Sequence, residues 1–373
     1  MRRSGKSTLL GLFKDELISS GVEERQIISY NFEDLAAPVD ITQLHNEIEI
    51  RLIAGKKSYV FLDEIQNVKE WEKMVDSLFI KDNVDLYITG SNAFMLSGEL
   101  ATLLSGRYME ISILPLSFKE YMELFGDKTD LTRKFSQYLQ NGGFPQSFEM
   151  FAQSDQLGID YLRGIYTTIV LKDVVTRDGA DDAEALENIL KFVFQNIGNL
   201  VSPNRIADYM KSNYRTIDPR KVERLLSVSK DSFILYAANR FDIKGKELLQ
   251  TQQKYYLVDT GLRRVLLGLG VDQDTGNALE NIVYLELLRR GYQAWVGKTK
   301  AGKEVDFVAR DKEGVLEYYQ VAETMRGEET KERELSALRN IDDNNRKFII
   351  TLDPEKNNYH GIEQVNAIDW LLE

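Results

Sequence analysis

The chain has no cysteine among its 373 residues, which excludes disulfides and thiolate metal sites. It has two histidines, His45 and His360, too few for a histidine-rich metal centre. No apolar run approaches the roughly 20 residues of a membrane-spanning helix. The basic start resembles the opening of a signal peptide, but its apolar stretch is short and Lys14 interrupts it. Cytoplasmic location is therefore the default expectation. Positive charge is in deficit, with a formal net charge of −12, so the surface as a whole does not suit nucleic acid, although a local basic patch is still allowed. There is no internal repeat and no low-complexity tract. What is present is the composition of an ordinary soluble protein, long enough for two to four domains with cores of their own.

The stretch Arg3-Ser4-Gly5-Lys6-Ser7-Thr8 reads as most of a P-loop, G-x-x-x-x-G-K-[ST]. Backbone N–H groups of such a loop cradle phosphates, and the following helix adds the positive end of its dipole. Lys6 is placed to reach the β- and γ-phosphates of ATP, Ser7 to ligate Mg²⁺, and Thr8 to bond a phosphate oxygen. Leu9, Leu10, Phe13 and Leu17 recur at helical spacing after it, and Gly21 is a stop. The first Gly of the pattern falls one residue before Met1, and the strand that feeds a P-loop is absent too. The chain is thus expected to be truncated within the loop. A bare G-K-[ST] also arises by chance, so the weight falls on residues downstream.

Those residues are present in order. The apolar run Ser58-Tyr59-Val60-Phe61-Leu62 ends in Asp63-Glu64, the pattern of a strand buried on both faces with acids at its tip. As a Walker B element it gives Asp63 to the metal and Glu64 to the attacking water. A strand over 85–89 ends in Gly90-Ser91-Asn92, where Asn92 or Ser91 is placed to sense the γ-phosphate. Further strands are expected over 26–32 and 108–114, with a helix over 41–54 between the first and the acidic strand. Alternation of this kind predicts an α/β fold: a parallel P-loop NTPase sheet with ligands beyond the strand ends. Each signal also has an ordinary reading, as a helix N-terminus or a turn, and only their order and spacing argue together.

The segments Arg2–Thr8, Phe61–Gln66, Ile88–Asn92 and Leu104-Ser105-Gly106-Arg107, the last running into Pro115–Phe118, resemble a family of prokaryotic AAA-type ATPases. Its members carry a C-terminal domain of unknown function similar to a restriction endonuclease. The resemblance implies residues 1–116 as the ATPase core without its first strand and 117–182 as a helical lid. It also implies Arg107 as an arginine finger for a neighbouring subunit, hence a homo-oligomer.

Residues 183–258 predict three helices and a two-stranded hairpin, the order of a winged helix. Between 201 and 256 there are 11 Lys/Arg and 6 Asp/Glu, a net of +5 within an acidic chain. Arg220, Lys221 and Arg224 lie on the candidate recognition helix, with Lys244 and Lys246 on the wing, so DNA is a candidate partner. Many winged helices bind protein instead. Over 259–373 the expectation is a restriction-endonuclease-like α/β domain. Glu280 lies on a helix, Asp306 on a strand, and Gln320-Val321-Ala322 stands where an acid and a lysine should be. The domain is expected to be inactive, and Lys303 is only a weak stand-in for the missing lysine. Three functions are compatible with these residues: a Mg²⁺-dependent ATPase acting on DNA or a DNA-bound partner, a DNA- or protein-binding module with an inert nucleotide site, and a nucleotide-gated nuclease.

Overall fold

The computed structural model describes residues 3–34, 36–38, 40–90, 107–126, 129–169, 183–268 and 274–373. The chain falls into two compact units, Met1–Ile113 and Leu114–Glu373.

In the first unit, Gly5 takes a left-handed conformation, φ 95°, and turns the chain into helix α1 (Lys6–Ser19). Strand β1 (Ile27–Asn31), helix α2 (Ile41–Arg51), strand β2 (Ser58–Asp63), helix α3 (Trp71–Phe79) and strand β3 (Val84–Ile88) come next. The three strands form a parallel sheet in the order β1-β2-β3. One face buries Ile28, Val60 and Leu62 against Leu44 and Ile48 of α2 and Met74, Val75 and Leu78 of α3. Truncating any one of these to alanine would cost roughly 2–5 kcal/mol. On the other face α1 buries none of its residues fully. Its aromatic contact is Phe13, edge-on to Phe61 and Tyr87 at centroid distances of 6.1 and 5.1 Å.

The strand expected over 108–114 does not form, and Met109 and Ile111 are 86% and 71% exposed. Apolar residues alone do not make a strand. Its N–H and C=O groups need a neighbouring edge, and the three-stranded sheet does not pair with this segment.

The second unit opens with helices α4 (Phe118–Glu123), α5 (Leu131–Asn141), α6 (Pro145–Gln153) and α7 (Asp155–Thr168). Ser117 and Glu120 close a capping box at the start of α4. After a stretch outside the described residues come α8 (Ala183–Gln195), α9 (Pro203–Asn213) and α10 (Pro219–Asp231). Ser202 and Asp218 cap the last two, each succeeded by a first-turn proline. Strands β4 (Leu235–Asp242) and β5 (Glu247–Leu257) form an antiparallel hairpin. The remaining elements are α11 (Thr260–Leu267), α12 (Thr275–Arg289), β6 (Gln293–Lys298), β7 (Glu304–Arg310), β8 (Leu316–Ala322), α13 (Glu328–Arg339), β9 (Arg346–Thr351), β10 (Ile362–Asn366) and α14 (Ala367–Leu372).

The hairpin is continuous with the C-terminal strands. Beyond an irregularity in register between Ala238 and Arg240, the outer part of β4 pairs parallel with β6. One seven-stranded sheet results, ordered β10-β9-β8-β7-β6-β4-β5. It crosses the boundary expected between 258 and 259. Strand β5 runs the whole of Glu247–Leu257, because its outer half also finds ladder partners in β4.

The sharp break at Asn141-Gly142-Gly143 has a specific cause. Asp259, at the N-cap of α11, accepts N–H bonds from Gly261 (2.9 Å) and Leu262 (3.2 Å), and a third from Gly143 (2.6 Å). A Cβ on Gly142 would lie 2.0 Å from Asp259 Oδ1, and one on Gly143 would lie 2.3 Å from the Leu116 carbonyl. Only glycine allows the chain so close.

Candidate functional site

The parallel sheet ends its acidic strand at Asp63, and Glu64 comes next in the left-handed region, φ 55°. A non-glycine residue there costs about 1 kcal/mol or more and persists only where its surroundings hold it. Three groups do so. The Glu64 N–H donates to Thr89 Oγ1 at 3.2 Å, and the Ile65 N–H donates to the Thr89 carbonyl at 3.2 Å. Gln66 Nε2 donates to Glu64 Oε2 at 2.5 Å. The Thr89 hydroxyl in turn donates to Asp63 Oδ1. Asp63 and Glu64 are both only 7% exposed, so their orientation is fixed by the fold.

Lys6 meets this pair from the loop, its Nζ lying 3.8 Å from Glu64 Oε1. Ser4 is buried, whereas Arg3, Ser7 and Thr8 are exposed. Gly5 at the N-cap of α1 supplies no side-chain cap, and the first turn holds no acid. The amides of that turn and the helix dipole therefore suit an anion. The residues present fit a nucleotide phosphate with its divalent ion: a loop with a left-handed glycine, a lysine, a first-turn serine and a strand-end aspartate.

The site thus brings together Lys6, Glu64 and, through Thr89, Asp63. Thr89 was missed by sequence reasoning, which looked past it to Ser91 and Asn92. Those two, with Arg2, Leu104, Ser105 and Gly106, lie outside the described residues. A threonine one strand over from the acids was the signal that could have found it. Arg107 is half exposed, 3.8 Å from Asp76 and 5.9 Å from the Phe79 ring centroid, so it rests on α3 of its own chain.

In the second unit, Glu280 of α12 and Asp306 of β7 come together around a residue no motif pointed to. Lys254 Nζ lies 3.0 Å from Glu280 Oε1, 2.8 Å from Glu304 Oε1 and 3.2 Å from Asp306 Oδ1, with its side chain 1% exposed. Tyr256 donates to the same Glu280 oxygen at 2.7 Å. Burial alone would lower the lysine's pKa, but Glu280, Asp306 and Glu304 together hold it above the ordinary range. Glu280 is pushed up to about 7, by burial first and by Asp306, against the pull of Lys254.

Gln320 is fully engaged. Its Oε1 accepts from the Asp306 N–H at 2.8 Å and its Nε2 donates to buried Glu334 at 2.6 Å. An ionised acid at this position has no proton to donate to Glu334. Lys303, the weak stand-in, is exposed on a turn. Among the described residues no three histidines or carboxylates are grouped to hold a metal ion.

Of the basic residues, Arg220 and Arg224 are exposed on α10 and Lys221 is half-buried beside them. Lys244 and Lys246 are exposed at the hairpin tip, where Asp242 accepts the N–H groups of Lys244 and Gly245 at 2.9 and 2.8 Å. No helix among the described residues is long and apolar enough to cross a membrane.

Compared with known proteins, residues 1–122 match the model of an AAA domain, and residues 132–273 match a domain of unknown function. An uncharacterized protein of Haemophilus influenzae is 40% identical over 380 residues, covering 100% of this chain and 93% of its own length. An uncharacterized protein of Methanocaldococcus jannaschii is 28% identical over 393 residues, covering 99% and 83%. Among solved structures, a Walker-type ATPase of Pyrococcus abyssi aligns with a TM-score of 0.42 at 16% identity, over 71% of this chain and 89% of that one.

Proposed function

Since the chain belongs to one family with the Haemophilus influenzae protein and carries the AAA domain of a P-loop ATPase, we propose that it binds ATP with Mg²⁺ and hydrolyses it. The observation that carries this reading is the convergence of Lys6 on Glu64, with Thr89 tying Glu64 to Asp63. Arg3, Ser4, Gly5 and the first turn of α1 would hold the phosphates, and Lys6 would take the γ-phosphate charge. Ser7 and Asp63 would hold Mg²⁺, which supplies neutralisation of charge on the phosphate oxygens. Glu64, kept in place by its own backbone and by Gln66, accepts the proton of the attacking water. Asn92 is the further candidate for orienting that water. In a homo-oligomer, Arg107 would leave Asp76 to reach a neighbour's nucleotide.

The test is binding of a fluorescent ATP analogue with Mg²⁺ by this chain and by Lys6→Ala. Micromolar binding lost in the variant supports the reading. Equal binding by both chains would refute it.

The rest of the proposal concerns what the ATPase acts on. Residues 117–182 would form the lid and 183–258 a winged helix, with 259–373 restriction-endonuclease-like and inactive. Three helices leading into a hairpin, and basic residues exposed on α10 and at the hairpin tip, support action on DNA or a DNA-bound partner. The engagement of Gln320 and Lys254 speaks against the nuclease reading.

A further inference from the structure

The carboxylates that a nuclease-like site would use are already neutralised from within the chain. Lys254 belongs to β5, at the end of the sheet away from β10, yet its ammonium reaches Glu280 on α12 and both Glu304 and Asp306 on β7. The second oxygens of Asp306 and Glu280 have a partner or a close neighbour. Asp306 Oδ2 accepts from the Val321 N–H at 2.9 Å. Glu280 Oε2 lies against Gly198, where an added Cβ would come within 2.6 Å. A lysine buried to this degree stays charged only where carboxylates surround it, and a carboxylate as buried as Glu280 needs a cation.

From this arrangement we propose that the Lys254 ammonium is the resident cation of the Glu280, Glu304 and Asp306 cluster, in the place a divalent metal would have to take, and that the cluster locks the hairpin to the sheet instead of cleaving phosphodiesters. The inference does not depend on the nucleotide site. It assigns a role to Glu280 and Asp306, the two acids that a nuclease motif would count as metal ligands. It also accounts for Gln320, whose amide bridges the Asp306 backbone to Glu334 and adds no fourth acid around the ammonium.

The first experiment uses the full chain and its Asp306→Asn variant. Thermal unfolding is monitored with EDTA and with Mn²⁺, and supercoiled plasmid is incubated with each protein and Mn²⁺. Any effect of Mn²⁺ at the nucleotide site is common to both proteins and cancels in the comparison. The expected result is the same Mn²⁺-induced shift in Tm for both, and no nicking that depends on Asp306. A Mn²⁺ shift, or a nicking activity, present in the parent and lost in Asp306→Asn would mean that a metal sits there and would overturn the proposal.

The second experiment is a cycle of Lys254→Met and Glu280→Gln. Lys254→Met should lower Tm by roughly 10 °C, since it strands the buried Glu280 and the largely buried Asp306. Adding Glu280→Gln should restore part of that loss, because one of the stranded charges is then gone. Losses that simply add would refute the lock. Should Lys254→Met fail to fold, the Mn²⁺ comparison of the parent with Asp306→Asn decides alone.

Discussion

Lys6 Nζ and Glu64 Oε1 stand 3.8 Å apart, with side chains 12% and 9% exposed. The residue that would bind phosphate and the residue that would activate water thus share one charge contact, which an incoming phosphate must exchange. Lys6→Ala should therefore lose about 100-fold in Mg²⁺-ATP affinity, the loss of a strong charge-assisted contact. Glu64→Gln should keep its affinity while phosphate release slows by roughly 10²- to 10⁴-fold. Titration of a fluorescent analogue and a phosphate-release assay separate the two. A Glu64→Gln chain that hydrolyses normally would remove Glu64 from the chemistry.

Thr89 holds both acids without being either. Thr89→Val keeps the shape but removes the bond to Asp63 and leaves the Glu64 N–H without its acceptor. We expect hydrolysis to fall by roughly 10- to 100-fold, as for other partners that orient a site from behind, and stability to fall by about 1–3 kcal/mol. Steady-state rates and urea unfolding of the same preparation test both.

Two glycines with positive φ offer a matched comparison. Gly142, φ 77° and ψ −171°, is pressed against Asp259, whereas Gly268, φ 64°, has nothing within 4 Å of an added Cβ. Gly142→Ala should cost roughly 3 kcal/mol or more, and Gly268→Ala about 1 kcal/mol. Tm values of the two variants should rank in that order, and the reverse order would deny the close approach.

Asp259 carries a pH signature. Burial pushes its pKa from an ordinary 3.8 up to about 6, even though backbone N–H groups, Gly143 first, pull the other way. The folded chain therefore holds this proton more tightly than the unfolded chain does. Its contribution is full below about pH 4 and is lost as the pH rises through 6. On moving from pH 7 to pH 4.5, the parent should gain Tm relative to Asp259→Asn. A difference that does not change with pH would contradict the buried carboxyl.

If α10 and the hairpin tip meet DNA, the contact is to phosphates. Replacing Arg220 and Lys244 by alanine should weaken binding to all sequences alike, and should flatten the plot of log affinity against log salt by about 1 per residue. Fluorescence anisotropy with a labelled duplex from 50 to 200 mM salt is the measurement. An unchanged slope would exclude these two side chains.

Much of the first unit was legible because its signals are local. The acids end a continuous apolar strand, and the lysine lies within a short glycine-containing loop. What could not be read depends on pairing across distance. Strand alternation gives Lys254 a face but does not say that Glu280, 26 residues on, and Asp306, 52 residues on, will surround it. The pairing of β4 with β6 begins at Arg240, beyond an irregularity in the β4–β5 register, which no composition signals. The segment 108–114 is the converse, since its sequence suits a strand but it pairs with none of β1, β2 and β3.

The seven-stranded sheet has a mechanical meaning. Lys244, Gly245 and Lys246 cap its last two ribs, and the β4–β6 ladder together with the Lys254 ion pairs ties those ribs to β6 and β7. Whatever grips the tip is held on one end of a stiff plank whose grain runs through Asp306 to β10. A pull there loads the whole width of the sheet at once, so the tip can act as a fixed anvil and not as a swinging arm.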